Sequence, residues 1–579
     1  MTLTDEQKAI IDAPLNSISV IACAGSGKTK TAINRLYKIR NDLVDDRGYV
    51  ALLSFSNTAV NTFRSGYKEK LLDNKGKYRD RVVIETLDSF ITTNILRPHA
   101  YRVMGCSTTP FLLTGNEKFL ENNAYKFWVD SPDDNYPVPP NLIGEVSVRV
   151  EDGKFRFDYR LNGKSSLIND GDKPTKAIAK VGGYTHEFGK IWAYRTLIQQ
   201  PRVLNSLSKR YPHIIVDEAQ DLDSLHWLIL KKLSDAGSTL TLIGDPNQAI
   251  FEFAGANGDV IKQFNGNAKN IDLPLTKNYR SIEDILTIAN HLSQRNDGHD
   301  KTKIHQQHGA YYVPYDPKEM PNLAASFAAH LEAVDLNNQE SAILFRGNPG
   351  IEKLKSSKGK TGEGKTQIFA KAAIKRDVNQ DYHKSFQLCL GGIVSLLESP
   401  PDDLVVRIHQ PGVSPEDRAL RQLLWTFVRD ADKGLPHVGL KGATEWQPLL
   451  KQRLISLLAE IENNFGIKPA ARLGNNITIK KMDDAPVAEL QQFQINPTNN
   501  IRVDTVHQSK GESLDAVLYV ATARDHIRSM LDGTNSEVGR IGYVALTRAK
   551  HLFVLAVPKR NIKEFELELK SLGLKEWKA

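Results

Sequence analysis

One short stretch near the start of the chain constrains its fold more than any other. Residues 16–29 run from an apolar, β-branched segment through small residues and two glycines to Lys28 and Thr29, and a helical pattern follows. A strand that passes through a glycine-rich loop into a helix is the layout of a P-loop. Backbone N–H groups converge on a polyphosphate only where side chains are almost absent. The stretch predicts an α/β fold with a parallel sheet, with Lys28 on the terminal phosphates and the Thr29 hydroxyl on magnesium.

A second stretch fits the strict P-loop pattern better than the first. The strict pattern begins with glycine, where the first stretch has Ala22, whereas residues 359–366 (GKTGEGKT) match it at every position. A P-loop must join a buried strand to a helix, and the residues before Gly359 are polar and basic. We therefore interpret residues 353–366 as an exposed loop, for which a contact to nucleic-acid phosphate is the alternative role.

Two adjacent acids follow a later strand. Residues 213–216 (HIIV) predict a buried strand, Asp217 and Glu218 come next, and the apolar segment 240–243 also ends in polar residues. In a parallel sheet, functional side chains gather where neighbouring strands end. The pattern is typical of the second half of an NTPase site, with Asp217 holding magnesium and Glu218 activating the attacking water.

Composition sets broad limits on the protein. A length of 579 residues predicts about three or four domains. The three cysteines are far apart and lack metal-ligand spacing, which argues against a disulfide framework or a zinc site. No apolar run is long enough to cross a membrane, so we expect a soluble, cytoplasmic protein without a membrane partner. The net charge of +8 permits a polyanionic partner without requiring one.

Two blocks interrupt the α/β pattern. Within residues 97–199, the segment 145–160 alternates around an Asp-Gly turn and predicts a β-hairpin. Residues 350–497 predict helices at 417–430 and 446–465 between proline-rich joints. We expect each block to be an insertion into the sheet domain that flanks it. The hairpin places Arg149, with Arg156 and Arg160 nearby, on one face, where they could contact either nucleic acid or water.

Together and in this order, the motifs resemble those of the UvrD/PcrA/Rep group of superfamily 1 helicases. The resemblance spans both ends of the chain. It covers Gln7, the P-loop at 22–29, DEAQD at 217–221, GDPNQAIF at 244–251, NYRS at 278–281, AILFR at 342–346, TVHQSKG at 505–511 and YVALTRA at 543–549.

This resemblance implies an ATP-dependent DNA helicase that moves 3′ to 5′ on single-stranded DNA and unwinds duplex DNA, with ATP and Mg²⁺ as cofactors. It also implies two RecA-like domains with ATP between them. The first would comprise residues 1–96 and 200–275, with 97–199 as its insertion. The second would comprise residues 276–349 and 498–579, with the mainly helical 350–497 as its insertion.

The resemblance further implies a role for each matched residue. Gln248 would sense the γ-phosphate, and Arg280 and Arg548 would reach it when the cleft closes. The implied catalytic residues are Lys28, Asp217, Glu218, Gln248, Arg280 and Arg548. The implied ATP-binding residues are Gln7, Ala24, Gly25, Ser26, Gly27, Lys28, Thr29, Lys30, Tyr279 and Glu512, with Thr29 and Asp217 on magnesium. The implied DNA contacts are Phe55, Asn57, Thr86, Asp88, Phe251, Phe253, Arg346 and His507.

Several positions depart from the family pattern. A Trp-Arg pair is usual where this chain has Phe253 and Ala254, and a histidine is common where it has Asp88. Glu512-Ser513 replaces the usual Leu-Glu. These departures concern DNA contact and unwinding more than hydrolysis. They keep a second hypothesis open: a DNA-sensing ATPase subunit of a phage-defence complex of the Gabija kind, with a partner nuclease and little unwinding of its own.

Overall fold

The structure is a computed structural model. It describes residues 3–43, 48–73, 81–113, 115, 117–131, 135–161, 164–252, 255–355, 361–378, 380–401, 404–409, 414–471, 477–488 and 501–577. Phe253 and Ala254 therefore lie outside the described residues. The chain divides into two compact units. The first contains Met1–Leu113, Asn122–Ile351 and Asn499–Ala579, and the second contains Thr114–Glu121 and Glu352–Thr498.

The first unit contains a six-stranded sheet, here called the first sheet, in which every neighbouring pair is parallel. Its central strands are apolar and buried because helices cover both faces. Alternate strand residues face opposite cores, with Ile215 in one and Ile214 in the other. The spatial order is Ile271–Leu275, Ile18–Ala22, Thr239–Gly244, His213–Val216, Val50–Ser54 and Val82–Thr86.

The helices associated with this part of the chain follow the periodicity of their apolar residues. One of them, Asn57–Asp73, begins soon after the strand Val50–Ser54. The others are Asp5–Asp12, Lys28–Asp42, Leu87–Ile91, Arg97–His99, Tyr101–Met104, Asp172–Lys180, His186–Gln199, Pro201–Arg210, Ser224–Asp235 and Asp259–Phe264.

A second six-stranded parallel sheet, here called the second sheet, is built mainly from the end of the chain. Its order is Arg502–Thr505, Ala342–Phe345, Leu514–Val520, Ala549–Pro558, Gly309–Tyr315 and Lys575–Glu576. Beside it, Lys277–Ile282 and Gly298–Lys301 form a short parallel pair. The helices here are Glu283–Ser293, Met320–Ala333, Asn348–Lys355, Arg524–Leu531, Glu537–Arg548 and Lys559–Ser571.

The first insertion contains an antiparallel sheet of five strands. They are ordered Tyr136–Pro137, Trp128–Val129, Lys164–Asn169, Lys154–Leu161 and Val146–Glu151. The predicted hairpin is confirmed, and its turn residues Asp152 and Gly153 both have positive φ (49° and 72°), as a two-residue hairpin turn requires. A short parallel pair, Phe111–Leu112 and Gly183–Tyr184, lies nearby in the chain.

The arginines of the hairpin face are largely paired with acids. Arg149 lies 3.0 Å from Asp158 and 3.1 Å from Glu151, and Arg156 lies 3.6 Å from Glu151. These partners neutralise much of the positive charge that the alternation in sequence suggested.

The second unit is mainly helical. The helices predicted at 417–430 and 446–465 are confirmed as Pro415–Arg429 and Gln447–Phe465. The remaining helices are Gly364–Asp377, Tyr382–Val394 and Leu404–His409. Together with the two parallel sheets and the hairpin, they confirm the predicted fold class of two RecA-like α/β domains with insertions.

The interpretation of residues 353–366 as one continuous loop was wrong at both ends. A helix, Asn348–Lys355, precedes the second glycine-rich stretch, and another begins at Gly364. Lys365 Nζ donates to the backbone oxygen of Ser395 at 2.7 Å, and the buried Thr366 hydroxyl donates to that of Thr478 at 2.9 Å. These two bonds, to residues 30 and 112 positions away in the chain, hold the start of the second helix. The element that precedes the stretch is helical, where a P-loop needs a strand.

Candidate nucleotide-binding site

The P-loop leaves the buried strand Ile18–Ala22 between two other strands of the first sheet. Gly25 and Gly27 have φ of 70° and 82°, a region that glycine adopts without strain. Gly27 caps the helix Lys28–Asp42, whose N-terminal N–H groups face the loop. This is the arrangement in which backbone donors and the helix dipole together favour a phosphate.

Asp217 and Glu218 follow the strand His213–Val216, two places from the P-loop strand in the sheet. Lys28 Nζ lies 3.8 Å from Glu218 Oε2, and both side chains are largely buried. Burial, followed by the charge of Glu218, raises the pKa of Asp217. For Glu218 burial acts in the same direction, but the charges of Lys28 and Lys510 outweigh it and lower the pKa. The site therefore holds one ionised carboxylate beside one that resists ionisation.

The surroundings of Asp217 fit a divalent cation. Its Oδ1 is buried and has no hydrogen-bond partner among the described residues, and its carboxylate lines the same cavity of about 590 Å³ as Thr29. An unpartnered buried carboxylate is costly, whereas a carboxylate and a hydroxyl are suitable ligands for Mg²⁺. Thr29 and Asp217 are thus the residues that could hold the ion.

A continuous set of side-chain bonds connects Glu218 to the second sheet. Gln220 donates from Nε2 to Glu218 at 2.5 Å and accepts at Oε1 from the backbone N–H of Asp245 at 3.0 Å. Gln248 donates to Asp245 at 2.8 Å and accepts from Arg548 Nη2 at 2.7 Å. Gln248 and Arg548 are 300 residues apart in the chain. These bonds join the Glu218 carboxylate, after a strand of the first sheet, to the Arg548 guanidinium, at the end of the helix that precedes the strand Ala549–Pro558 of the second sheet.

Arg280 and Arg548 both lie close to the P-loop side of the site. A Cβ placed on Gly25 would be 2.5 Å from Arg280 Cβ, and the backbone N–H of Tyr279 donates to the Gly25 oxygen at 2.9 Å. Arg280 Nη1 donates to the backbone oxygen of Thr547, the neighbour of Arg548, at 3.0 Å. Among the described residues, neither guanidinium has a carboxylate at ion-pair distance.

Electrostatics at these two arginines favour an anion. Burial, together with the nearby charge of Arg548, lowers the pKa of Arg280 to about 9. Burial also lowers the pKa of Arg548. Two guanidinium groups that lose solvation and repel each other are stabilised by a multiply charged anion placed between them and the P-loop lysine.

Gln7 makes two kinds of contact in this structure, one with the start of its own helix and one with the P-loop. The Thr4 hydroxyl accepts from the Gln7 N–H at 3.3 Å while Gln7 Oε1 accepts from the Thr4 N–H at 3.2 Å, which is a capping box. The same amide donates from Nε2 to the P-loop oxygen of Ser26 at 3.2 Å. The first helix is therefore attached directly to the phosphate loop.

Tyr279, Lys30 and Glu512 are also expected to contact ATP, and each has its own surroundings in this structure. Lys277 Nζ lies 5.3 Å from the centroid of the Tyr279 ring, and Lys30 is exposed at the start of its helix. The Glu512 carboxylate lies 2.8 Å from Arg502, so its contact in this structure is an ion pair within the second sheet.

Comparisons with known proteins agree with this architecture. The family model of the UvrD/REP helicase N-terminal domain matches residues 3–137 and 184–269, and that of the UvrD-like helicase C-terminal domain matches residues 425–560. Together these spans cover more than half of the chain. The chain belongs to the UvrD-like helicase family.

Several curated relatives of this family are similar to the chain. "Probable DNA helicase II homolog" of Mycoplasma capricolum is 26% identical over 328 residues, which cover 52% of this chain and 42% of that protein. A protein of the same name from Mycoplasma pneumoniae is 23% identical over 630 residues, covering 96% and 84%. "ATP-dependent DNA helicase Rep" of Buchnera aphidicola is 22% identical over 510 residues, covering 84% and 69%. The match thus spans less than half of the first of these relatives.

Three of the residues that the UvrD-like resemblance assigns to DNA, Phe55, Phe251 and His507, line the same cavity. Phe251 and His507 lie together, with ring centroids 5.6 Å apart, and Lys510 Nζ is 4.8 Å from the Phe251 centroid. Phe55 lines the same cavity as these two residues, and its ring meets His226 edge-on at 5.8 Å. Arg346 is exposed after the strand Ala342–Phe345.

The remaining predicted DNA contacts have local roles in this structure. Thr86 caps the helix Leu87–Ile91 through a bond from the Ser89 N–H, and Asn57 is exposed at the start of its helix. Asp88 is paired with His226, and the two atoms that meet are 3.0 Å apart.

Sequence reasoning missed a buried charge network behind Asp88. His226 Nδ1 lies 3.0 Å from Asp223, whose carboxylate also lies 2.5 Å from Lys190, and Lys190 is 2.6 Å from Glu187. Glu187 in turn accepts the backbone N–H of Val148 in the inserted hairpin at 3.2 Å. No motif contains these residues, and no sequence signal shows that the pairs 187/190 and 223/226 meet, because Lys190 and Asp223 are 33 residues apart in the chain.

Two other missed residues lay inside the quoted motifs. Lys510 Nζ lies 2.6 and 2.7 Å from the two carboxylate oxygens of Asp221, and Gln220 makes the bonds described above. The motif strings contain both residues, but the Asp221 partner of Lys510 comes from the other sheet, and the Asp245 partner of Gln220 follows a different strand of the same sheet. Separately, no helix among the described residues is both long and apolar enough to cross a membrane.

Proposed function

We propose that this chain is a DNA-dependent ATPase motor that moves 3′ to 5′ on single-stranded DNA and unwinds duplex DNA. The observation that carries the proposal is a pair of arginines beside the P-loop, Arg280 in the strand Lys277–Ile282 and Arg548 at the end of the helix Glu537–Arg548. Neither has a carboxylate at ion-pair distance within the part of the chain that the structure describes. A site completed by arginines from outside the sheet that carries the P-loop can report on the phosphate it holds.

In this proposal the chain's own residues divide the work of hydrolysis. Lys28 and the loop N–H groups hold the terminal phosphates, while Glu218 orients and deprotonates the attacking water. Arg280 and Arg548 stabilise the charge that develops on the transferred phosphoryl group. Thr29 and Asp217 would hold Mg²⁺, which neutralises phosphate charge when bound.

Coupling to movement follows from the bonds between the sheets. Gln248 accepts from Arg548 in this structure, so a phosphate that draws Arg548 away also releases Gln248 and, through Asp245, Gln220. Phe55, Phe251 and His507 line the cavity next to these groups. We infer that DNA lies on these side chains and that its bases stack on the aromatic rings, each stack contributing about 1–3 kcal/mol.

The test is the pair of variants Arg548→Ala and Lys365→Ala, assayed for ATP turnover with and without single-stranded DNA. Arg548→Ala should lower DNA-stimulated turnover by on the order of 10³-fold, whereas Lys365, in the second glycine-rich stretch, should be dispensable. Equal turnover in the two variants would refute the assigned site. Strand displacement on substrates with a 3′ or a 5′ tail tests the direction, and preference for the 5′ tail would refute it.

One observation favours a second candidate function. Asp88, at a predicted DNA contact, carries a carboxylate, and its pair with His226 lowers its pKa although burial opposes this. A negative charge there weakens a grip on phosphate. The chain would then be a DNA-sensing ATPase subunit that gates a partner nuclease. Strand displacement by the isolated chain separates the candidates, because robust unwinding without a partner contradicts the sensor role.

A further inference from the structure

A buried hydroxyl beside Asp217 is used by none of the steps proposed above. Ser54 ends the strand Val50–Ser54 and is 1% exposed. Its Oγ is buried and has no hydrogen-bond partner among the residues that the structure describes. A hydroxyl is costly to bury in this state, and it persists where a ligand or an ordered water supplies the missing bond.

Ser54 and Asp217 are neighbours on one face of the first sheet. In the pairing of their strands Leu53 is opposite Val216, and the Asp217 N–H donates to the Leu53 oxygen at 2.9 Å. Ser54 and Asp217 follow these two residues, so their side chains point to the same side. Both line the cavity of about 590 Å³ that also contains Thr29, and Asp217 Oδ1 lacks a partner among the described residues as well. Two neighbouring buried oxygens thus face one cavity.

The two oxygens suit different positions around a magnesium ion. The Asp217 carboxylate is a ligand that binds Mg²⁺ directly, together with the Thr29 hydroxyl. Protein-bound Mg²⁺ keeps several water ligands, and such a water only donates hydrogen bonds because its lone pair faces the ion. The Ser54 Oγ is an acceptor for one of these bonds. Partners of this kind orient the ligands of a metal ion without touching the ion.

The residue after Ser54 faces the other side of the sheet. Leu52 packs in the core on one face, whereas Leu53 and Phe55 pack in the core on the other. Ser54 alternates with them and therefore shares the face of Leu52. The Phe55 ring meets His226 edge-on at 5.8 Å and lines the cavity at which DNA contact is proposed. A base that stacks on Phe55 and displaces it also moves Ser54, which is one peptide bond away.

We propose that Ser54 is a positioning residue of the magnesium site, where its hydroxyl accepts a hydrogen bond from a water ligand of the ion. Through the adjacent Phe55, this contact responds to single-stranded DNA. The magnesium site and the DNA contact rest on the proposed function, whereas the hydroxyl beside Asp217 is observed directly. Because coupling between two sites is reciprocal, DNA should strengthen binding of the ion, and the ion should strengthen binding of DNA.

The test measures binding of a fluorescent, non-hydrolysable ATP analogue in EDTA and in saturating Mg²⁺. The ratio of the two dissociation constants is the gain in nucleotide affinity that Mg²⁺ provides. Ser54→Ala should reduce this gain by roughly tenfold, as expected when a metal ligand loses its hydrogen-bond partner. The affinity in EDTA should stay at the wild-type value, whereas a loss of packing would lower it too.

Two further variants and one addition make the test specific. Ser54→Thr retains the hydroxyl and should keep most of the gain. Ser238→Ala removes another buried hydroxyl that has no partner among the described residues, before the strand Thr239–Gly244 at the opposite end of the same sheet, and should match the wild type. Saturating single-stranded DNA should raise the gain by roughly fivefold or more in the wild type, but not in Ser54→Ala.

Three results would overturn the proposal. A wild-type gain in Ser54→Ala would exclude the bond to a water ligand of the ion. An equal loss in Ser54→Ala and Ser238→Ala, or a loss already present in EDTA, would show a packing effect. An unchanged effect of DNA in Ser54→Ala would exclude the link through Phe55. A wild type that gains no nucleotide affinity from Mg²⁺ would refute the proposed function as well, so the two failures are distinguishable.

Discussion

Residues 22–29 and 359–366 both end in Gly-x-Gly-Lys-Thr, and the structure gives the two stretches different surroundings. The first stretch follows a buried strand and lies beside an acid pair and two arginines. The described part of the second, from Thr361, follows a helix and uses Lys365 and Thr366 for bonds within its own unit. The first stretch matches the strict P-loop pattern less well than the second, but it is the one that joins a buried strand to a helix, as phosphate binding requires. A motif therefore indicates chemistry only together with the elements that precede and face it.

The sharpest test of this contrast exchanges the two lysines for alanine. Lys28→Ala should lower ATP turnover by on the order of 10³-fold, because it removes a charge that stabilises the transferred phosphoryl group. Lys365→Ala should leave turnover within about twofold, since its Nζ bonds only to the Ser395 oxygen at 2.7 Å. Steady-state turnover with saturating single-stranded DNA is the measurement. A large loss in Lys365→Ala would reverse the assignment of the two stretches.

A second test compares the acids that accompany each stretch. Glu218→Gln should reduce turnover by on the order of 10²-fold while ATP binding persists, because only the proton acceptor is lost. Glu363→Gln is the matched control, since Glu363 pairs with Lys480 at 3.1 Å and Lys481 at 2.8 Å on the surface. Single-turnover hydrolysis together with nucleotide-binding titrations separates the two steps. Normal hydrolysis in Glu218→Gln would show that another group activates water.

A third test uses pH, because the unit with the P-loop holds a buried histidine between Asp88 and Asp223. Although burial opposes it, the charge of Asp223 raises the pKa of His226 to about 9. A raised pKa stabilises the folded state fully below the unfolded value of about 6.5, and this stability is lost as pH rises through 9. The loss should be on the order of 3 kcal/mol.

Thermal unfolding of the wild type and of His226→Gln between pH 6 and 10 measures this effect. The variant should lack the alkaline decline. Hydrogen exchange, corrected for its intrinsic pH dependence, should rise with pH in the helix Ser224–Asp235 but not in Gly364–Asp377, the helix that begins in the second stretch. Parallel pH profiles for the two helices would contradict the assignment to His226.

The smallest expected difference concerns one glycine of each stretch. Gly27 and Gly364 both have positive φ, 82° and 60°. An alanine at either position costs about 1–2 kcal/mol of strain. At Gly27 the new Cβ would also lie 2.9 Å from Gln7 Nε2, whereas nothing lies within 4 Å at Gly364. Gly27→Ala should therefore bind ATP roughly tenfold more weakly, as expected for one lost charge-assisted hydrogen bond, whereas Gly364→Ala should lose stability only. Equal ATP affinities would count against the predicted loop.

Much of the fold was predictable because its signals are local. The apolar strands, the Asp-Gly hairpin and the helices at Pro415–Arg429 and Gln447–Phe465 each follow from neighbouring residues. The error at residues 353–366 arose because polar composition does not exclude a helix, and Gly364–Asp377 is held by bonds to Ser395 and Thr478 that no local pattern reveals.

By itself, the sequence determined that a phosphate loop follows a buried strand, that two acids follow another, and in which order the helicase motifs occur. Only the tertiary structure decided which of these groups meet. Gln248 and Arg548, and likewise Lys510 and Asp221, come together because strands distant in the chain end near one another. His226 lies between Asp88 and Asp223 for the same reason, although no motif contains it. Periodicity and turn residues act over a few positions, whereas these contacts depend on how whole strands are ordered in the sheets.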